Sequence, residues 1–272
     1  MERRAFITGI TAGVGMFGGC LSTLQVNDGN GIRTTRTERR SHDVGSKTRL
    51  RVHNPNGSVT VTGHEETTAT IDIEIRGPTE RSVEAVSVKT DRSDDQLAVV
   101  TGYDHTNAER ADVSLTVNYP NEAPIERLRT TNGSIEVRDT AGDPELTSQS
   151  GNLSIENVDG TVALSTNNGS ITARDIGGLR NATASNGSIE IDVPSITGDV
   201  AVRTDNGGID AALGQDLNAA ITATTSHTPI DLHGVTLAKD GPTTVSGTLG
   251  DGMHTLTFET NNGSIDLRQL SA

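Results

Sequence analysis

Aromatic side chains are nearly missing from this chain of 272 residues: it has no Trp, two Tyr and three Phe. Phe6 and Phe17 fall within the first twenty residues, which leaves Phe258, Tyr103 and Tyr119 for the rest. A deep core of large rings is thereby excluded, and apolar residues reach only 32%. The interior must come from Val, Ile, Leu, Ala and Thr, which suit thin layers of stacked strands. Cysteine occurs once, at Cys20, so no disulfide within the chain and no two-cysteine metal site can form. Lysine is confined to Lys47, Lys89 and Lys239, and residues 41–272 set 16 basic side chains against 33 acidic ones. Nucleic-acid binding rests on cationic contacts with phosphate, so this balance argues against it. Such a surface repels itself in dilute buffer. In molar salt the Debye length falls to roughly 3 Å and the repulsion fades, so the composition fits a halophilic setting.

The first segment reads as an address. Arg3-Arg4-Ala5-Phe6-Ile7 precedes an uncharged stretch from Ile7 to Gly19, too short to span a bilayer as a helix. Arg3, Arg4 and Phe6 resemble a twin-arginine export signal, with Ile7 where Leu is usual. Phe17-Gly18-Gly19-Cys20 resembles a lipobox, which implies cleavage before Cys20 and lipidation of it; two acyl chains on one cysteine suffice for stable anchoring. Residues 21–45 are polar and rich in Arg and Gly, and read as a disordered tether holding the domain roughly 25–30 Å from its anchor. Membrane attachment through that lipid is the expected localisation, on the outer face of the cytoplasmic membrane or the cell surface.

A short phrase recurs beyond this segment. Asn-Gly-Ser and a β-branched residue stand at Asn56-Gly57, Asn132-Gly133, Asn168-Gly169, Asn186-Gly187 and Asn262-Gly263, with worn copies at Ser150-Gly151 and Asn206-Gly207. From Gly133 through Gly151 and Gly169 to Gly187 the step is 18 residues, then 20 to Gly207. A fixed step of this size is one supersecondary unit stacked on itself. Counting each Asn as position zero, position −4 is Leu128, Leu146, Leu164, Ala182, Val202 and Phe258. Positions +3 and +5 are apolar throughout, from Ile135/Val137 to Ile265/Leu267. Alternation on both sides of the turn is strand–turn–strand, with Gly supplying a positive φ and Asn tolerating it. An antiparallel meander satisfies the same alternation. The regular step favours a β-solenoid (β-helix-like), in which like positions stack about 4.8 Å apart. Position +6 reads Arg138, Glu156, Arg174, Asp192, an ion-pair ladder if these residues stack. Asn132, Asn168, Asn186 and Asn206 are candidates for a hydrogen-bonded turn column.

The expected organisation is an all-β chain: export signal with lipobox (1–20), tether (21–45), irregular N-terminal β region continuous with the solenoid (46–124), and regular repeats of about 18–20 residues (125–272). Arg49–Gly63 is one copy. Thr70–Ile75, Val83–Thr90, Leu97–Thr101 and Val113–Val117 read as longer strands, and Asp91, Asp94 and Asp95 as a loop. Gln215–Gly252 departs from the pattern, with an extra strand at Val245–Gly250, and Leu256–Leu270 closes the stack. The segments LRVHNPNGSVTVTG and NYPNEAPIERLRTTNGSIEV, with the NGSI copies after them, resemble the putative-adhesin β-solenoid family of unknown function, over about residues 47–270. That resemblance implies a β-solenoid and a bacterial or archaeal cell-surface location, and no established ligand or catalytic residue.

Chemistry is sparse. No turn has a phosphate-loop ending, no Gly-Xaa-Ser-Xaa-Gly elbow occurs, and the seven His lack metal spacing. No catalytic, metal or cofactor residue is expected. Carboxylates in column +4 (Glu136, Glu190, Asp210, Asp266, with Asp231 equivalent) are the alternative. A glycosidase needs two carboxylates about 5–10 Å apart, and Glu190 with Asp210 could provide them. Seven Asn-Xaa-Ser/Thr sequons occur, and Asn181, outside the turn motif, is the candidate for glycosylation. The leading expectation is a non-catalytic structural or adhesin-like surface protein, with surface polysaccharide or another surface protein as partner and self-association through exposed solenoid ends. The alternatives are a β-helical enzyme on extracellular polysaccharide and an accessory or sensor protein of an envelope-stress system.

Overall fold

The Asn-Gly phrases form the corners of a stack of parallel strands. A computed structural model describes residues 21–27, 33–104 and 111–271. The expectations for Arg3, Arg4, Phe6 and Cys20 lie outside the described residues.

The N-terminal strands are β1 (Leu21–Asn27), β2 (Arg33–Asp43), β3 (Arg49–Asn56), β4 (Val59–His64) and β5 (Thr68–Gly77). A short helix α1 (Glu80–Glu84) leads to β6 (Val86–Arg92), β7 (Gln96–Tyr103) and β8 (Asp112–Pro120). The array follows as β9 (Ile125–Asn132), β10 (Ile135–Ala141), β11 (Glu145–Ser150), β12 (Leu153–Asn168), β13 (Ile171–Asn186), β14 (Ile189–Val193), β15 (Val200–Asn206) and β16 (Ile209–Leu213). The chain ends with β17 (Ala219–Thr225), β18 (Ile230–His233), β19 (Ala238–Lys239), β20 (Thr244–Leu249), β21 (His254–Asn262) and β22 (Ile265–Gln269).

Pairing within the array is parallel, as in a β-solenoid and unlike a meander. Ile135 pairs with Leu153 and Leu153 with Ile171, one repeat apart. Each strand alternates buried and exposed residues, so Leu128, Leu146, Leu164, Ala182, Val202 and Phe258 stack inward as one column. Column −2 is also buried yet hydroxylic. Ser148, Thr166, Thr204 and Thr260 donate to the carbonyl oxygens of Gly133, Gly151, Gly187 and Gly207 at 2.8–3.0 Å. These bonds satisfy buried hydroxyls and pin each turn to its neighbour. Ala184 breaks the column, so Gly169 receives no such bond.

Glycine is required at the turns chiefly by crowding. Positive φ is confined to Gly57, Gly133 and Gly187 among them. At every turn from Gly133 to Gly263, however, a Cβ would intrude on the carbonyl oxygen of the preceding turn glycine. The backbones stack directly, with Gly151 N–H donating to Asn168 O and Gly169 N–H to Asn186 O, both at 2.9 Å.

Both ends of the stack differ from expectation. Leu256–Leu270 does not close it. β21/β22 lies between β15/β16 and β17/β18, and the Gln215–Gly252 excursion forms the outer rung. β20 covers β17 in antiparallel fashion. The other end mirrors this, because β3/β4 sits between β7/β8 and β9/β10. The strand expected from Val83 begins at Val86. Thr79 accepts from Ser82 N–H and Ser82 Oγ from Thr79 N–H, a capping box that starts α1 instead. Asp91 lies in β6, while Asp94 and Asp95 occupy the turn before β7.

The tether expected over residues 21–45 is a correction as well. β1 pairs with β2, and β2 pairs in antiparallel register with β5 from Thr34↔Gly77 to Asp43↔Thr68. The arginines that read as linker close an edge. Arg36 donates to the carbonyls of Val83 and Val86, and Arg40 to that of Val88, so side chains supply donors that a neighbouring strand would give β6. Glu38 pairs with both, at 3.3 and 2.7 Å.

His42 ends this row, with Nε2 buried and without a hydrogen-bond partner among the described residues. Burial, then Arg40 and Arg92, hold its pKa below the ordinary value. A base of lowered folded pKa takes up its proton first in the unfolded chain, so stability falls as pH drops below about 6.5. Burial and Arg129 lower His53 in the same sense. Urea unfolding at neutral and mildly acidic pH is expected to show this loss, and His42→Gln to reduce it. An unchanged pH dependence in the variant would exclude His42 as its source.

Candidate functional site

Two flat outward faces flank the turns. The first is built from positions −5 and −3 of the strand before each turn. Its rows run Arg51, Arg127, Glu145, Ala163, Asn181, Ala201, Thr257 and His53, Arg129, Thr147, Ser165, Thr183, Arg203, Glu259. The second is built from positions +4 and +6. Here Glu190 stands beside Asp210, Asp210 beside Asp266, and Asp266 beside Asp231.

The candidate carboxylates Glu190 and Asp210 do sit on adjacent rungs, and each has a cation. Arg174 reaches Glu190 at 2.5 Å, Arg268 reaches Asp210 at 3.1 Å, and His233 approaches Asp266 at 3.4 Å. The hydrogen bond that Arg174 donates to Glu190, then the charge of Glu190, raises the pKa of Arg174. Glu190 and Asp210 keep 41% and 50% of their side-chain surface exposed, which leaves no dry pocket around them. Glu136 pairs with Arg138 on its own strand at 2.7 Å.

The +6 ladder forms in part. Arg138 bonds Glu156 at 2.7 Å, as stacking requires. Arg174 turns instead to Glu190 in column +4, and Asp192 accepts the N–H of Asp175 at 3.2 Å. Two adjacent columns of long side chains offer each arginine a choice of carboxylate, which one column of sequence cannot rank.

The turn asparagines form a side-chain ladder. Asn186 Nδ2 donates to Asn168 Oδ1, Asn206 Nδ2 to Asn186 Oδ1 and Asn262 Nδ2 to Asn206 Oδ1, at 2.9–3.0 Å. Asn132 stands outside it, because its neighbours in the column are Asn56 and Ser150. Asn56 Nδ2 donates to Ala111 O at 2.7 Å. Asn181 lies half-buried on the first face, with Nδ2 donating to Thr183 Oγ1 at 3.0 Å.

Sequence reasoning missed the charge division between the faces. The second carries seven acids (Glu136, Glu156, Glu190, Asp192, Asp210, Asp231, Asp266) against Arg138, Arg174 and Arg268. On the first, Glu126, Glu145 and Glu259 are taken up by Arg51, Arg127 and Arg203. Arg129 and Arg180 are exposed there, with no carboxylate in ion-pair range among the described residues. Beside them an open recess of about 440 Å³ is lined by Glu145, Thr147, Ala163, Ser165, Arg180 and Asn181, among others. A second recess, of about 390 Å³, lies between Ser46, Glu65, Glu66 and Glu122 near β5. The signal for the first was the outward −5 and −3 positions, where Arg, Thr, Ser and Asn replace the acids of +4 and +6. Among the described residues no three His, Cys, Asp or Glu stand together as a metal site, and no helix is long and apolar enough to cross a membrane.

Comparison with solved structures returns remote likenesses. A "putative cell adhesion protein" from Clostridium sporogenes ATCC 15579 is 11% identical, aligned over 93% of this chain and 100% of its own, with a TM-score of 0.35. A "putative adhesin" from Parabacteroides distasonis ATCC 8503 is 9% identical over 85% and 96%, with a TM-score of 0.39. A "putative lipid binding protein" from the same organism is 12% identical over 86% and 97%, with a TM-score of 0.37. No curated protein matches. The family model described as Toastrack DUF4097 matches residues 31–268, nearly the whole stack with both of its capped ends, and the chain belongs to that family.

Proposed function

We propose that this chain is an exported surface protein, anchored by lipid on Cys20, whose solenoid of 18–20-residue repeats is a non-catalytic platform for contact with surface polymers or proteins. The observation that carries this reading is the state of Glu190 and Asp210. Glycoside cleavage needs one carboxyl kept as a proton donor by a dry environment and a partner free to act opposite it. Both acids instead lie open on a flat face, each held by a guanidinium. A flat lattice of polar side chains at fixed spacing suits repeated weak contacts better than it suits a reaction.

The test is incubation of the full chain with envelope polysaccharide from the source organism in molar KCl. Retention on the polymer without new reducing or unsaturated ends is expected. Product release that disappears in Glu190→Gln or Asp210→Asn would make the protein an enzyme. In cells of the source organism Cys20→Ser is expected to shift the protein from the membrane to the soluble exported fraction, and its staying on the membrane would remove the lipid anchor.

A further inference from the structure

We propose that the recess over β11–β13 on the first face, flanked by Arg129 and Arg180, binds a carboxylate-bearing polysaccharide. This rests on the surface-contact role proposed above and names its partner and its face.

The argument starts from charge. The chain carries 36 acidic groups against 22 basic ones, so an exposed arginine has carboxylates in excess to pair with. Arg51, Arg127, Arg138, Arg174, Arg203 and Arg268 all do so. Among the described residues Arg81, Arg92, Arg129 and Arg180 are exposed without a carboxylate in ion-pair range, and of these Arg129 and Arg180 alone flank a recess. Arg129 is the register neighbour of Thr147 in its wall, and Arg180 is itself part of the wall. A guanidinium without a partner keeps its planar fork of donors free for a carboxylate.

Spacing decides between a small acid and a polymer. β9 and the second half of β13 are three rungs apart, about 14 Å at strand spacing. Two carboxylates along an extended chain meet both arginines where they stand, whereas a single carboxylate would have to draw both side chains flat across the recess. Between them Thr147, Ser165 and Asn181 offer hydroxyl and amide groups to sugar hydroxyls, and Ala163 leaves a flat floor for a ring face. Glu145 also faces the recess, but Arg127 pairs with it at 2.8 Å. The net charge of −14 repels a second copy and a polyanion alike in dilute buffer, and salt screens both. The polymer passes the molecule along one line beside Arg129 and Arg180, whereas a second copy would oppose a whole acidic surface.

The experiment titrates full-length protein in detergent micelles with polygalacturonate oligomers, and with dextran as the neutral control. The wild type is expected to bind polygalacturonate and not dextran. Arg129→Gln/Arg180→Gln together should weaken binding at least tenfold with an unchanged thermal midpoint. Arg138→Gln, on the opposite face, should bind within twofold of the wild type. Absence of polygalacturonate binding by the wild type, undiminished binding by the double variant, or an equal loss in Arg138→Gln would overturn the proposal. Sedimentation showing that the two arginines join copies of the chain would also overturn it, in favour of self-association. If the double variant is still retained on native envelope polymer as the wild type is, the face is wrong and the surface role stands. If the wild type is not retained there, the wider role falls too.

Discussion

Gly169→Ala is expected to cost about 3 kcal/mol or more, the upper range for forcing extra volume into a packed interior. For a chain of this length that lowers the unfolding midpoint by roughly 6–12 °C. Backbone conformation is not the cause, since Gly169 lacks a positive φ. The cause is its neighbour: the new Cβ would press on the carbonyl carbon and oxygen of Gly151 and on the N–H of Asn152. These atoms belong to the next rung's backbone and can yield only if the rungs separate. Separation would in turn strain the 2.9 Å bonds that Gly151 and Gly169 N–H make across the stack. Gly198→Ala is the matched control. Nothing lies within 4 Å of a Cβ there, so that change should be neutral or slightly stabilising. Thermal melts of both variants decide the matter. Equal midpoints would mean that the turns are looser than direct backbone stacking allows.

Deleting residues 254–272 is expected to unfold far more than the deleted segment. β21/β22 pairs on one side with β15/β16 and on the other with β17/β18. Its removal takes Phe258, fully buried between Val202 and Ala223, out of the core. Burial of a Phe alone is worth about 3–5 kcal/mol by truncation. Register pairing joins β18 to β22 and β17 to β20 and β21, so among the described residues β18 would lose its partner strand and β17 would keep β20. Loss of amide-exchange protection across 219–249, together with a new protease-sensitive site there, is the expected result, while residues 125–193 keep theirs. Full protection of 219–249 in the truncated chain would show that the outer rung stands directly on β15/β16, against the inserted order.

The middle of the fold is legible in the sequence because its rules are local. Alternation around Asn-Gly names the inward columns, and the 18-residue step names the neighbour of each rung, so Leu146 over Leu128 follows without further information. The ends are illegible for the converse reason. Nothing near Leu256 indicates that its partners are Val200 and Ile221; that choice is made by closure of a long excursion, whose cost and reward are not local. The Arg36–Arg40 stretch misleads differently. Charge without hydrophobic alternation reads as linker, yet Glu38 offsets two arginines and the carbonyls of β6 take up their donors. The carboxylate column was correctly placed on adjacent rungs, but its partnership with Arg174 and Arg268 depends on the reach of long side chains from the next column. Arg129 and Arg180 show up as a pair only once rungs are set side by side, since they are 51 positions apart in the chain.

Equal steps between Gly133, Gly151, Gly169 and Gly187 also make the height of the stack adjustable. Specialised strands seal the two ends, whereas the central rungs meet only copies of themselves. Duplicating or deleting one 18-residue unit between Gly133 and Gly187 would therefore move the far cap by about 4.8 Å without asking any residue to make a new kind of contact. The distance between the two caps would then be inherited in discrete increments, and lineages could tune it by simple tandem duplication.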